Sequence, residues 1–318
     1  MIFGTRNQAT PEPIYLIILM GQSNGVGRQD GRLSNTQFNY VGIADGYPTP
    51  RVSQPQYAAD PSDVIIYYKP TLRTGDHSID DGEWQAYQAG VNSRYPTPPA
   101  TDNALVFGSE LSCATLIQQA TGKLTAIIKP AWQTTALSRG ATSDLPGAWN
   151  DTSRVIAAEF YIRRGIQDLK ALYPNRRIKL VSINWWQGES DSISAISSAN
   201  YQAQFAEFKA YIDKVVAGLV VQDQKHIWNI TRLDFFRTAA EGVINTAIDA
   251  IEAAYADVYK VNAAGYPQSN DMTSAEAAPV PVGNPNANGW PDDDHSSYIA
   301  QLAVGEQQFA NIQTAGLI

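Results

Sequence analysis

The sequence predicts an α/β fold: a mainly parallel sheet covered by helices on both faces. Two observations carry this. Short, continuously apolar runs recur along the chain and alternate with amphipathic helical stripes, the pattern of strands joined by crossover helices. The first run, Ile14-Tyr15-Leu16-Ile17-Ile18-Leu19-Met20, leads straight into Gly21-Gln22-Ser23-Asn24-Gly25. It reads as a strand buried on both faces, leaving the sheet at the carboxyl edge where open α/β folds place their ligands.

The elements follow in order. Residues Met1 to Pro13 form an irregular lead-in, and a polar stretch rich in Gly, Pro, Asn and Gln separates Ser23 from about Asp63. Val64 to Lys69 is a second strand, and another irregular stretch runs from Pro70 to Thr101. Loops of this length inside a compact fold are usually functional surfaces. Ser109 to Ala120 reads as a helix closed by Gly122, and Leu124 to Lys129 as a third strand. Val155, Ile162, Ile166, Leu169 and Tyr173 mark a helix that stops before Pro174. Ile178 to Asn184 is a fourth strand, running into Trp185-Trp186-Gln187-Gly188-Glu189-Ser190-Asp191. Tyr201, Phe205, Phe208, Ile212, Val215 and Leu219 step by four and three, the clearest helical signal in the chain. Ile227 to Thr231 follows as a strand, then a helix with Ile244, Ile248, Ile251 and Tyr255, then a further strand within Asp257 to Asn262. A loop from Gly265 to Trp290 precedes Pro291-Asp292-Asp293-Asp294-His295-Ser296-Ser297, which opens a last helix carrying Ile299, Leu302, Phe309 and Ile312. No repeat or domain boundary interrupts the series, so residues 1–318 are expected to form one domain.

Composition narrows the function. The 318 residues are 44% hydrophobic and 17% charged, enough for a large core. The net charge of −8, with no Lys/Arg cluster, argues against a nucleic-acid partner or an anionic membrane surface. The apolar run from Ile14 to Met20 is far short of a membrane span. No secretory signal is visible, because the amino end lacks a basic start joined to a long apolar segment; the compartment is left open, extracellular or virion-associated. The single Cys113 excludes an internal disulfide and a cysteine-built zinc site, and its helical setting predicts a buried, inert thiol. Seven Trp and sixteen Tyr give a mild hint of sugar contacts, although core packing is the default for each ring.

The chemistry-bearing residues cluster on strand-exit loops. Ser23, between glycines that allow a sharp turn, reads as a nucleophile. An alcohol needs a positioned base, itself oriented by a third group. His295 has the right chemistry, its ordinary pKa lying near neutrality. Asp292, three residues earlier, is placed to hold the other ring nitrogen, and Asp293 and Asp294 are close enough to compete. An oxyanion forming on an attacked carbonyl needs preorganised donors. Candidates are the Ser23 amide, the Gln187 side chain and the loop Pro130-Ala131-Trp132-Gln133-Thr134-Thr135.

At these residues the chain resembles the SGNH-hydrolase superfamily. Gly21-Gln22-Ser23-Asn24, Phe107-Gly108-Ser109-Glu110, Trp186-Gln187-Gly188-Glu189 and Asp292-Asp293-Asp294-His295 recur there in this order. The nearest branch is that of sialate O-acetylesterase-like proteins and carbohydrate esterase family 6 acetylxylan esterases. The resemblance runs from Ile14 to about Phe309. It implies a flavodoxin-like three-layer α/β/α sandwich with a central, mainly parallel five-stranded sheet, and deacetylation of an acetylated carbohydrate with no cofactor and no metal. By position it makes Ser23 the nucleophile, His295 the base and Asp292 its partner. Gln187 falls in the oxyanion hole, and Gln22 lines the same pocket. One departure is notable: the family's Gly-Gly-Thr after the third strand is replaced by Gln133-Thr134-Thr135, putting side chains where glycines stood.

Other readings compete at the same residues. Gly25-Val26-Gly27 resembles part of a dinucleotide fingerprint, but the third glycine, Gly31, falls one position late and no acidic residue ends the second strand. The aspartate triplet suits calcium or the start of a helix. Glu189 and Asp191 invite a two-carboxylate glycosidase, which leaves Ser23 and His295 unexplained; Glu189 and Glu110 are better read as loop braces. His77 and His226 have no partner pattern and read as structural. The alternative from another class is a non-catalytic glycan-binding module on an esterase-like scaffold, part of a larger surface or viral assembly.

Overall fold

A computed structural model describes residues 11–22, 57, 61–68, 82–88, 108–132, 135–141, 148–150, 152–220, 225–233, 239–262 and 298–318. Ser23, Asp292, His295, Gln133, Thr134, His77 and Trp290 lie outside these residues. The strands are β1 (Pro13–Gly21), β2 (Val64–Tyr68), β3 (Glu83–Ala86), β4 (Thr125–Ile128), β5 (Arg177–Trp186), β6 (Ile227–Thr231) and β7 (Val258–Val261). The helices are α1 (Glu110–Thr121), α2 (Thr152–Leu172), α3 (Glu189–Ile193), α4 (Ser198–Ala217), α5 (Ala239–Ala254) and α6 (Tyr298–Thr314).

The strands form one sheet of order β3-β2-β4-β1-β5-β6-β7. Every neighbouring pair is parallel except β2 with β3. The mainly parallel α/β class is as expected, and the sheet is larger than the five strands expected. The difference lies at its margins: β7 falls within Asp257 to Asn262, read above as a further strand, whereas β3 lies in the stretch from Pro70 to Thr101 read as irregular. β3, Glu-Trp-Gln-Ala, has no apolar run to announce it; backbone pairing of Ile65–Tyr68 with Glu83–Ala86 makes it a strand.

β1 is central, paired along most of its length with β4 and β5. Its side chains alternate between two cores, as a strand's period of two requires. Leu16, Ile18 and Met20 face α2, α4 and α5 with Ile162, Ile166, Phe205, Phe208 and Ile248; Ile17 faces α1 and α6 with Leu111, Ile117, Leu302 and Ile312. Helices therefore cover both faces, giving three layers. Each fully buried aliphatic side chain of β1 contributes about 1.5–3 kcal/mol of transfer free energy.

The α1/α6 layer is closely fitted. A Cβ added at Gly305 would fall 2.1 Å from Ser112 Oγ and 2.2 Å from the Ser109 carbonyl oxygen, so only glycine permits this crossing. Ser112 Oγ in turn donates to the Leu302 carbonyl at 2.7 Å. Beneath α6, Asn311 donates to Asn229, Asn229 to Asn184 and Asn184 to Gln308, at 2.9, 2.9 and 3.0 Å. This buried amide chain sets the seating of α6 on β5 and β6, because a slipped helix would strand its polar groups without partners. At the opposite, amino edge, Asp213 receives Lys209 (2.7 Å) and Trp228 Nε1 (2.8 Å), with His226 Nε2 2.9 Å away. His226 thus has a structural setting on the edge remote from the carboxyl-end loops.

Candidate active site at the carboxyl edge

Three strands end side by side at the carboxyl edge. β1 delivers Gly21 and Gln22, β4 delivers Pro130–Trp132, and β5 delivers Gln187 and α3. Gly21 is the hinge of this arrangement. Its φ is +142°, and a Cβ there would lie 2.0 Å from the Trp186 carbonyl oxygen. That approach lets Gln22 N donate to Trp186 O at 3.0 Å, and Trp132 N donate to Gly21 O at 3.1 Å. Gln22, the residue before Ser23, is 4% exposed.

A buried polar network ties the three exits together. Gln187 is fully enclosed, and its Nε2 lies 2.9 Å from Thr135 O, 2.7 Å from Asp191 Oδ2 and 3.3 Å from Gln22 Oε1. Gln22 Oε1 also accepts from Ser190 N at 3.2 Å. The Asp191 carboxylate, also fully enclosed, receives Leu137 N at 2.8 Å and Ser138 N at 2.9 Å. Tyr201 OH reaches Gln187 O at 3.0 Å and Gln187 Oε1 at 3.2 Å. Burial, then the charge of Asp191, pushes the Tyr201 hydroxyl well above the ordinary phenol value, so it remains a donor.

The walls are aromatic. Trp149 packs 5.1 Å from both Trp132 and Trp185, and Trp185 lies 4.7 Å from Phe208, centroid to centroid. Trp149 Nε1 donates to Thr135 Oγ1 at 2.9 Å, and Thr135 Oγ1 donates to Trp132 O at 3.1 Å. Trp149, Trp185 and Trp186 are completely buried, which is packing rather than sugar stacking. Trp132, at the sheet edge, is 7% exposed. On the other face, Glu110 accepts from Gly108 N (3.0 Å) and Lys129 Nζ (2.7 Å), bracing the start of α1 against the end of β4. Burial lowers the Lys129 pKa, against the opposing pull of Glu110.

The structure therefore brings Gln22 and Gln187 together, while Ser23, His295, Asp292, Gln133 and Thr134 lie outside the described residues. Sequence reasoning missed the roles of Asp191 and Tyr201. Asp191 follows Gln187 by four residues, the spacing of one helical turn, and that was the available signal. Tyr201 was legible only as one more member of an apolar stripe. Among the described residues, no group of three or more His, Cys, Asp or Glu side chains is arranged to hold a metal ion, and no helix is long and apolar enough to cross a membrane.

No protein-family model matches the chain, and no curated protein matches it. Solved structures do. A protein from Arabidopsis thaliana aligns with a TM-score of 0.52 and 14% identity, covering 96% of this chain and 98% of that one. NanS aligns with a TM-score of 0.54 and 16% identity, over 96% and 98%. What they share with this chain is the fold. A carbohydrate acetylesterase from Xanthomonas citri also aligns, at a TM-score of 0.46 and 15% identity, over 95% of this chain and 56% of that one.

Proposed function

We propose that the chain is a serine-dependent carbohydrate O-acetylesterase. The observation that carries the reading is the convergence of three motif-bearing exits. Gln22, next to Ser23, meets Gln187 at 3.3 Å, and Gln187 meets Thr135, next to Gln133-Thr134, at 2.9 Å. In this reading Ser23 Oγ attacks the acetyl carbonyl as His295 takes its proton, with Asp292 holding the imidazole. Backbone amides at Ser23 and along Gln133-Thr134 stabilise the oxyanion, with Gln22 and Gln187 lining the same edge. Collapse passes the proton from His295 to the departing sugar oxygen and leaves an acetyl-serine. Water, deprotonated by His295, then releases acetate and restores the serine.

The geometry disfavours the two-carboxylate alternative, because Asp191 is wholly enclosed and already receives three donors. The test is hydrolysis of p-nitrophenyl acetate by Ser23→Ala and His295→Ala. Each should lose activity by about 10³-fold or more; folded variants with wild-type turnover would reject the mechanism. Acetate release across acetylated xylans and O-acetylated sialic acids then assigns the substrate branch. One observation favours a glycan-binding role instead. Gln133 and Thr134 replace the glycines expected there, and the Gln187 amide is within reach of three protein acceptors. Saturable glycan binding with no acetate released from any acetylated sugar would select that role.

A further inference from the structure

We propose that Asp191 is a positioning residue for ester hydrolysis, an inference that rests on the serine-esterase reading. Its carboxylate receives two consecutive backbone amides, Leu137 N and Ser138 N, from the segment that follows β4. It also receives Gln187 Nε2 from the segment that follows β5. All three partners are pure donors toward it, so only an acceptor on both oxygens satisfies them. The carboxylate therefore clamps the post-β4 segment to the post-β5 segment.

The clamp matters because of what it spans. Trp132 is held by Gly21 O, Thr135 by Trp132 O and the Trp149 indole, and Leu137 and Ser138 by Asp191. In the sequence, Gln133 and Thr134 fall between these anchors, and the esterase reading assigns an oxyanion donor to them. Gln187 supplies the link: its amide spans Thr135 O and Asp191, so it holds the segment rather than presenting both hydrogens to substrate.

The decisive variant is Asp191→Asn, isosteric but bringing an NH₂ group to face a donor. With p-nitrophenyl acetate as probe, active sites are counted by the burst of acyl-enzyme formation, so that kcat refers to folded, titratable Ser23. We expect kcat per titrated site to fall about 10²–10³-fold, the effect of losing an oxyanion donor, with KM little changed. Amide hydrogen exchange at Leu137 and Ser138 should accelerate. Ile212→Ala, in the α4 core away from this edge, provides a comparably destabilised control that keeps wild-type kcat per site. Should Asp191→Asn fail to fold, Asp191→Ser leaves room for a water in place of the carboxylate and takes its role. A variant that lowers stability or the titratable fraction, yet keeps wild-type kcat per site, overturns the inference. So does unchanged exchange at Leu137 and Ser138. If Ser23→Ala hydrolyses the ester like the wild type, the esterase reading fails by itself, and the exchange measurement still decides whether Asp191 orders the segment.

Discussion

Replacing Gly21 by alanine probes the closest backbone approach at the site. The new Cβ would sit 2.0 Å from Trp186 O, where contacts under 3.0 Å are essentially never seen, so β1 and β5 must part by about 1 Å at their carboxyl ends. A non-glycine residue at φ +142° costs about 1–3 kcal/mol. Overpacking adds about 1–3 kcal/mol, and weakening the Gln22 N–Trp186 O bond about 1 kcal/mol. Together these give about 3–7 kcal/mol against a typical total of about 5–15 kcal/mol. The same displacement moves Gln22, and a misplacement of about 1 Å is enough to cost on the order of 10²-fold in rate. Urea unfolding followed by tryptophan fluorescence, with p-nitrophenyl acetate turnover on the folded fraction, measures both effects. A variant destabilised by less than about 1 kcal/mol with unchanged turnover would refute the account of Gly21.

Three further outcomes are expected. Gly305→Ala must push α6 off Ser109 and Ser112 and should cost about 1–3 kcal/mol in chemical denaturation. Burial pushes the Cys113 thiol up to about 12, so at pH 8 an aromatic disulfide reagent should label it only as fast as the protein unfolds; immediate labelling of native protein would place the thiol in solvent. For Asp213, burial raises the carboxyl, but hydrogen bonds from His226, Lys209 and Trp228 outweigh it and hold it below the ordinary value. The unfolded chain then binds the proton first, so this stabilisation is complete above the unfolded value of about 4 and is lost as pH falls through the native one. The stability gap between wild type and Asp213→Asn should accordingly be open at pH 7 and close toward pH 3.

Much of the architecture was legible because burial imposes periodicity. The β1 run had to be doubly buried, and the stripe from Tyr201 to Leu219 had to face a core; both do so. Gly122 closes α1 with φ +62°, as its position after the stripe suggested. β3 was not legible, since a strand held by edge pairing needs no apolar run. The polar interior was hidden for a related reason. Nothing in the spelling of Asn184, Asn229, Asn311 or Gln308 says that they meet, because their partners are 45 to 124 residues away. Asp191 was visible as a carboxylate near the site but was weighed as a reacting group. Its buried setting is made by two backbone amides, which carry no sequence signature.

The placement of β1 also bears on how this polypeptide is made. Of the described strands, the one synthesised first is the one that finishes in the middle, and its two flanking strands are encoded roughly 110 and 160 residues downstream. At translation speeds of about 5–20 residues per second, β1 waits on the order of 5–20 s for β4 and longer for β5. Throughout that time an oily segment with two bare edges is available for mispairing. Chaperones that shield nascent chains should therefore raise the folded yield of this protein.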